Sequence, residues 1–255
     1  MRVIRRDFLP ADLAPLAASA GIAGTVAVQA RQSLDETEWL LDLAEANPAL
    51  VRGVVGWVPL RAYGRLIGTT LGSFAGRPAF KGVRHVLQGE PDAYVEDPAF
   101  NAAVAELPAR GLSYDLLVFA RQLPAALGFV DRHPDLSVVL DHIAKPVVQG
   151  PPPAEWVKHL CELGRRERVH CKFSGVVTEV PGWKWTPELL RPYFEVVLEA
   201  FGPERVMFGS DWPVCQVAAG YLDWHRFVED CVAPLSAGER AAILGGNAAR
   251  FYRLT

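Results

Sequence analysis

Cysteines are few in this sequence, and none of them lies in a CxxC pattern. Four cysteines among 255 residues are too few for the disulfide framework of a secreted domain of this size, and they fit a reducing compartment. No window contains the ~18 uninterrupted apolar residues that a membrane-spanning helix needs. Residues 1–7 have no long apolar region after their charges, which argues against a secretory signal. These absences predict a cytoplasmic protein with no membrane partner.

Positive charge is also scarce. With 26 Lys and Arg against 29 Asp and Glu, the chain has a net charge of -3 and lacks the basic surface that binds nucleic acids. No glycine-rich phosphate turn follows the first strand-like run, which argues against a dinucleotide-binding sheet. Half of the residues are hydrophobic, so the chain can bury one large core. We therefore expect a single domain over residues 1–255 whose partner is a small-molecule substrate.

Seven strand-like runs alternate with helical patterns along the chain. The runs cover residues 25–29, 54–58, 80–87, 114–119, 136–142, 169–174 and 206–211. They are continuous stretches rich in Val, Leu and Ile, which is typical of parallel strands covered by helices. Only the helix before the third run is poorly marked, because it contains Gly64, Gly68 and Gly72. A barrel and a doubly wound sheet both fit, and polar residues at the C-terminal ends of many runs favour the barrel.

The last of these runs ends abruptly at Asp211, which is followed by Trp212 and Pro213. Because Pro213 cannot continue a central strand, the acid is placed at the C-terminal end of the sheet, where barrel enzymes carry their active sites. We interpret Asp211 as an active-site acid and Trp212 as a substrate contact beside it. The alternative is that Asp211 caps the next helix.

Side chains alternate between the two faces of a strand, which predicts the residues that point into the barrel. On this basis Asp211 points inward, and so does His142, on the same face as Leu140. Arg84 and Lys172 are also predicted to face the mouth, as substrate-binding cations. The alternative for each cation is an ion pair with an acid, since charged groups are rarely buried unpaired.

An imidazole and a carboxylate at one mouth suit a divalent ion such as Zn²⁺. A catalytic zinc usually has three protein ligands, so His142 and Asp211 alone predict a metal that is held weakly or not at all. Without a metal, Asp211 can deprotonate a water molecule while His142 and the cations stabilise an oxyanion. That set is the minimum for hydrolysis of an ester or a lactone.

The sequence resembles the amidohydrolase-related family, in particular its lactonase-like branch of L-fuconolactone and L-rhamnonolactone hydrolases. The matching stretches follow the family's order and are Lys81–Gln88, Tyr114–Leu117, Asp141–Pro146, Cys171–Gly175, Phe208–Pro213 and Gly246–Tyr252. The resemblance implies a (β/α)8 TIM barrel of the metal-dependent hydrolase type, acting in carbohydrate catabolism. It also implies that Asp211 activates water and can touch a metal, that His142 is a metal or substrate ligand, and that Arg84 contacts the substrate.

The sequence departs from this family at its first strand. Family members begin with a strand that carries a His-x-His pair, and no stretch here matches it. We therefore expect seven strands, with a gap between run 25–29 and run 206–211. Unpaired strand edges invite pairing with another chain, so we also expect association into a homo-oligomer or marginal stability. Two alternatives to a lactonase stay open, namely a decarboxylase of the same superfamily and a catalytically impaired protein that binds a small ligand.

Overall fold

The computed structural model describes residues 2–61, 65–74 and 76–254. Within these ranges, seven strands form one parallel sheet in which each strand pairs with the next in chain order. The strands are β1 (Thr25–Val28), β2 (Val51–Gly56), β3 (Phe80–His85), β4 (Ser113–Leu116), β5 (Val138–Leu140), β6 (Val169–Phe173) and β7 (Val206–Phe208). The sheet curls into a half-barrel, which confirms the barrel-type fold and the strand number predicted from the sequence.

The described helices surround the sheet, most of them on its outer face. They are α1 (Pro10–Ser19), α2 (Leu34–Ala46), α3 (Arg65–Ser73), α4 (Pro98–Val104), α5 (Leu123–Arg132), α6 (Ala154–Gly164), α7 (Pro187–Phe201), α8 (Tyr221–Val232), α9 (Ala237–Ala241) and α10 (Asn247–Phe251). Gly64, one of the three glycines noted in the sequence, lies outside the described residues. Most of the longer helices pack apolar side chains against strand residues that point outward, which forms the main core, whereas the short α9 buries no residue. None of the helices seen here is long and apolar enough to cross a membrane.

The predicted gap lies between β7 and β1. Among the residues that the structure describes, no strand pairs with the outer edge of either one, and Arg2–Ile4 forms a 3-10 turn instead of an eighth strand. The two edges differ in their cover. All four residues of β1 are half-buried, whereas Val206 of β7 is buried and its outward-facing carbonyl accepts a 2.6 Å hydrogen bond from the Asn247 side chain. The chain's own last helix therefore covers the β7 edge.

A second, smaller cluster fills the inside of the half-barrel. Val55, Val139 and Met207 meet there, and the C-terminal residues Phe251 and Tyr252 complete the cluster. Since Val139 points inward, its neighbours in β5 point outward, and Leu140 belongs to the main core. The prediction that His142 shares an inward face with Leu140 is therefore wrong.

Candidate active site

Four charged side chains form an ion-pair network inside the half-barrel, and we call them the floor. Lys172 of β6 lies 2.5 Å from an oxygen of Asp115 of β4 and 2.7 Å from one of Asp141, which follows β5. Arg84 of β3 donates to the other Asp141 oxygen at 2.8 Å. Both carboxylates are fully buried. Arg84, Asp115 and Lys172 lie at strand positions whose side chains point into the half-barrel. Asp141 continues the inward face of β5, two residues after Val139.

Two further residues hold the floor in place. The Tyr252 hydroxyl donates to Asp115 at 2.8 Å, so the C-terminal segment contacts the network directly. The Arg84 guanidinium also donates to the Gln29 backbone carbonyl, and the Gln29 side-chain amide donates to the Arg84 carbonyl at 3.0 Å. The floor is thus hydrogen-bonded to Gln29, which directly follows β1, and to Tyr252 in the C-terminal segment.

The pKa values of the floor follow from burial and pairing. Burial opposes ionisation of Asp141, but the adjacent Lys172 and Arg84 outweigh it and hold its pKa well below the usual range. For Asp115 burial prevails over the attraction of Lys172, and the pKa is raised. Burial also opposes the charge on Lys172, yet its two carboxylate partners raise its pKa. Two cations therefore face two acids, and the floor carries little net charge.

The two predicted catalytic residues lie above the floor, and we call them the rim pair. Strand β5 ends at Leu140, and residues 142–145 all have positive φ, between 47° and 60°. Asp211 also has a positive φ of 53°. Left-handed backbone costs roughly 1–2 kcal/mol per non-glycine residue, and it clusters at functional sites. This left-handed turn, and not strand alternation, carries the His142 side chain to the mouth.

The rim pair is held at short range by small neighbours. His142 Nε2 lies 3.7 Å from Asp211 Oδ1, and His142 Nδ1 lies 2.8 Å from Ser174 Oγ. A Cβ atom on Gly175 would come within 2.7 Å of Nδ1, and one on Gly209 would come within 2.9 Å of the Ser174 Cβ. Burial lowers the pKa of His142 despite the nearby acids, so the imidazole is neutral near pH 7.

The donor set at the rim is too small for a complete catalytic zinc site. Within the described ranges, no group of three or more His, Cys, Asp or Glu side chains could share an ion. His142 and Asp211 supply two ligands, and catalytic zinc usually takes three from the protein. Two donors therefore leave at least one protein position of such a site unfilled by the described residues.

The predicted substrate-binding cations are both engaged in the floor. Arg84 and Lys172 expose 11% and 12% of their side chains, so each reaches the mouth while paired with an acid below it. This is the ion-pair alternative that the sequence left open. A substrate contact by either cation stays a prediction, and it would have to coexist with these pairs.

Trp212 lies beside the rim pair at the mouth. Its ring packs edge-to-face against Phe8 at 5.3 Å, and its indole N–H is buried without a partner among the residues described. Helix α8 begins after Gly220, and no described side-chain cap involves Asp211. The geometry therefore gives no support to the helix-cap interpretation of Asp211.

Sequence reasoning assigned no role to Asp115, Asp141 or Tyr252. The sequence signal that could have identified Asp115 and Asp141 is an acidic residue within or directly after an apolar strand. Tyr252 gave no signal of its own, because its contact with the floor depends on the path of the chain after α10. Ser174 lies at the rim, where its hydroxyl contacts His142.

The sequence profile of one family, described as amidohydrolase, matches residues 2–254. The chain belongs to the amidohydrolase family. This membership confirms the resemblance drawn from the six sequence stretches and the predicted hydrolase class.

Three relatives of this amidohydrolase carry functional names. It is 39% identical to an L-fucono-1,5-lactonase of Burkholderia ambifaria, over 98% of this chain and 87% of the relative. It is 41% identical to an L-fucono-1,5-lactonase of Burkholderia multivorans, over 100% of this chain and 88% of the relative. An L-rhamnono-gamma-lactonase of Scheffersomyces stipitis is 27% identical over 68% of this chain and 59% of the relative.

Crystal structures of an amidohydrolase from Burkholderia multivorans have a similar fold. One with bound HEPES matches with a TM-score of 0.94 and 42% identity, covering 100% of this chain and 92% of that chain. Another with bound zinc has the same TM-score and coverage and 41% identity. The amidohydrolase barrel fold is thus shared over the full length of this chain.

Proposed function

We propose that this amidohydrolase opens a sugar-acid lactone such as L-fucono-1,5-lactone. The observation that carries the proposal is the Asp211 carboxylate, 3.7 Å from a neutral imidazole at the mouth of the half-barrel. Relatives about 40% identical over nearly the whole chain are L-fucono-1,5-lactonases, which supports a lactone over the substrate of a decarboxylase.

In the proposed reaction, Asp211 takes a proton from a water molecule whose oxygen attacks the lactone carbonyl carbon. When Ser174 donates its hydroxyl proton to Nδ1 of His142, the imidazole proton lies on Nε2 and can stabilise the carbonyl oxygen as it becomes negative. The ring C–O bond then breaks, and the proton held by Asp211 passes to the departing alkoxide oxygen. One water and one lactone thus give one hydroxy acid.

The floor supports this chemistry from below. Arg84 and Lys172 are partly exposed whereas Asp115 and Asp141 are fully buried, so the cations lie nearer the developing oxyanion and the acids keep them fixed. Preorganised charges of this kind need no reorganisation during the reaction.

We further propose that a divalent ion, with zinc favoured, binds weakly to His142 and Asp211. A cation there would polarise the lactone carbonyl. Metal analysis of purified protein should find far less than one zinc per chain, whereas a version with an N-terminal extension carrying His-x-His should retain more. Tight stoichiometric zinc in the present chain would overturn this proposal.

A substrate panel tests the reaction class. Purified protein is incubated with aldonolactones and, separately, with aromatic carboxylic acids, while acid release and CO₂ are followed. Turnover of lactones above their spontaneous hydrolysis is the expected result. Release of CO₂ would assign a decarboxylase instead, and binding without turnover would assign a ligand-binding protein.

We also propose that the protein acts in the cytoplasm, in carbohydrate catabolism, as a single domain over residues 1–255. The open β1 edge favours association of two copies. Light scattering across a concentration series should show a mass above 27.9 kDa at high concentration, and a constant monomer mass would contradict association.

A further inference from the structure

Lys145 is a cation next to the rim pair to which the proposed reaction gives no role. Its backbone N–H donates to the His142 carbonyl at 2.8 Å, which makes residues 142–145 one turn of left-handed helix. Side chains three residues apart lie on the same side of such a tight turn. Ile143 and Ala144 are fully buried, whereas His142 and Lys145 expose 12% and 19% of their side chains. Lys145 therefore shares the face of the turn that carries His142 to the mouth.

The buried side of this turn is anchored in the core. The Ile143 side chain belongs to the main core, and the Ile143 carbonyl accepts from the indole N–H of Trp156 on α6 at 2.8 Å. Because the buried side is held by packing and by this hydrogen bond, the opposite side keeps its direction. The backbone of Lys145 is thus fixed beside His142, while its long side chain stays flexible.

The acid next to Lys145 comes from the loop that follows β6. Glu179 ends the short 3-10 turn of that loop, four residues after Gly175, which packs against His142. The Glu179 backbone carbonyl accepts from the Val148 N–H at 3.3 Å, so the loops after β5 and β6 are joined here. Both Lys145 and Glu179 have side chains that are 19% exposed.

Lys145 is paired more loosely than the cations of the floor. Its Nζ lies 3.6 Å from Glu179 Oε1, which is beyond the length of a hydrogen bond. The Thr178 hydroxyl lies 3.4 Å from the same oxygen, so Glu179 has a second partner. Lys172, in contrast, lies within 2.7 Å of two fully buried carboxylates. An ammonium has three N–H donors, and the loose contact leaves those of Lys145 able to take another acceptor.

The proposed reaction creates such an acceptor at the mouth. The lactone is neutral, whereas the hydroxy acid has a carboxyl group with a pKa of about 4 and is ionised at pH 7. This carboxylate forms beside Asp211, and two neighbouring negative charges repel each other. A cation on the His142 side of the mouth compensates that repulsion. The charge of Lys145 does reach the imidazole, because it adds to burial, the main cause, in lowering the pKa of His142.

We propose that Lys145 binds the carboxylate of the aldonic acid product and exchanges its contact with Glu179 for this new partner. The proposal rests on the proposed lactonase function. Glu179 is then a competitor of the product for the same ammonium. The two residues together set how strongly the product inhibits the enzyme.

Calorimetry with L-fuconate, the hydrolysis product of L-fucono-1,5-lactone, measures this binding directly. Lys145→Met removes the charge and should raise the Kd of L-fuconate about 10-fold, as expected for the loss of one charge-assisted contact. Lys145→Arg keeps the charge and should stay within about 3-fold of wild type. Glu179→Gln removes the competing charge and should lower the Kd about 3-fold. An ion pair that only joined the two loops would not give opposite effects at its two ends.

Steady-state kinetics separate product binding from substrate binding. In Lys145→Met the KM of the neutral lactone should change less than about 3-fold, while the inhibition constant of L-fuconate rises with its Kd. Lys158→Met on α6 is the matched control and should alter neither constant, since its pair with Glu155 is open to solvent. Melting temperatures confirm that each variant is folded.

Two results would overturn the proposal. One is an L-fuconate Kd in folded Lys145→Met that equals the wild-type value, and the other is a Kd in Glu179→Gln that does not fall. If the wild-type protein turns over none of the aldonolactones, the lactonase proposal fails but the calorimetry still applies. Binding of L-fuconate that is weakened in Lys145→Met and kept in Lys158→Met would then still support a carboxylate site at Lys145. Absence of L-fuconate binding to the wild type would overturn that site.

Discussion

The floor and the rim pair each combine basic with acidic side chains but differ in how these are held. The floor acids are fully buried and paired with Lys172 and Arg84, on positions that strand alternation sets. The rim residues His142 and Asp211 are partly exposed, lie 3.7 Å apart, and sit on left-handed backbone. From this difference we expect the floor to act mainly on stability and the rim pair to carry the proposed chemistry.

The largest effect should come from the rim. Asp211→Asn keeps the shape of the side chain but removes its basic oxygen, so we expect kcat to fall roughly 10²- to 10⁴-fold. The midpoint of chemical denaturation should hardly move. Asp223→Asn, an exposed acid on α8, serves as the control and should leave kcat unchanged. Wild-type kcat in a folded Asp211→Asn variant would remove Asp211 from the mechanism.

A floor substitution should act mainly on folding. Lys172→Met leaves two buried carboxylates with one cation, so the free energy of unfolding should fall by about 3–5 kcal/mol, as when a buried pair is broken. Denaturant titration measures this loss. Adding Asp115→Asn to Lys172→Met should restore part of it.

The exposed Lys158→Met variant is the control for the floor, since its ion pair with Glu155 is open to solvent. Its stability should stay within about 1 kcal/mol of wild type. Equal stability of Lys172→Met and Lys158→Met would show that the floor does not hold the fold together.

Gly175, which packs against His142, allows a test of how the rim pair is positioned. Gly175→Ala adds a methyl group within 2.7 Å of His142 Nδ1, at a φ of 67°. We expect kcat/KM to fall about 10-fold because the imidazole is displaced, and stability to fall by about 1 kcal/mol from the backbone cost. Gly182→Ala has a φ of 68° but no atom within 4 Å of the new Cβ. That control should lose stability alone, and an equal loss of activity in both variants would count against positioning by Gly175.

The smallest effect concerns His170, on β6 outside both regions. Burial and the nearby Arg205 lower its pKa to about 4, against about 6.5 in the unfolded chain. Between these values the unfolded state binds more protons, so this contribution is complete above pH 6.5 and is lost as the pH falls toward 4. With partial exposure discounted, we expect about 1 kcal/mol between pH 7 and pH 5. Subtracting the pH slope of His170→Phe isolates this term, and identical slopes would contradict it.

The sequence predicts the regular part of this protein well and the left-handed part poorly. Strand number and strand order follow from the apolar runs and the helical patterns between them. The face of His142 does not, because β5 was extended to residue 142 while the strand ends at Leu140. Positive φ at His142, Ile143 and Ala144 has no local signal, since none of them is glycine.

The acidic partners of Arg84 and Lys172 could not be predicted from a single sequence either. Period two placed Arg84 and Lys172 toward the mouth, but their acids come from other strands that meet them only when the sheet curls. The contact of Tyr252 with Asp115 likewise depends on where the chain passes after α10. Long-range geometry of this kind is fixed by the packing of the whole barrel.

The hydrogen bond from Asn247 to the Val206 carbonyl holds one edge of the sheet more firmly than the other. Strand β7 is fastened by its own chain, whereas β1 is bound by β2 alone among the described strands and is half-buried throughout. Local openings begin where the fewest buried contacts are lost. Amide protons should therefore exchange with deuterium first in β1 and last toward β7, as if the sheet were unzipped from one end.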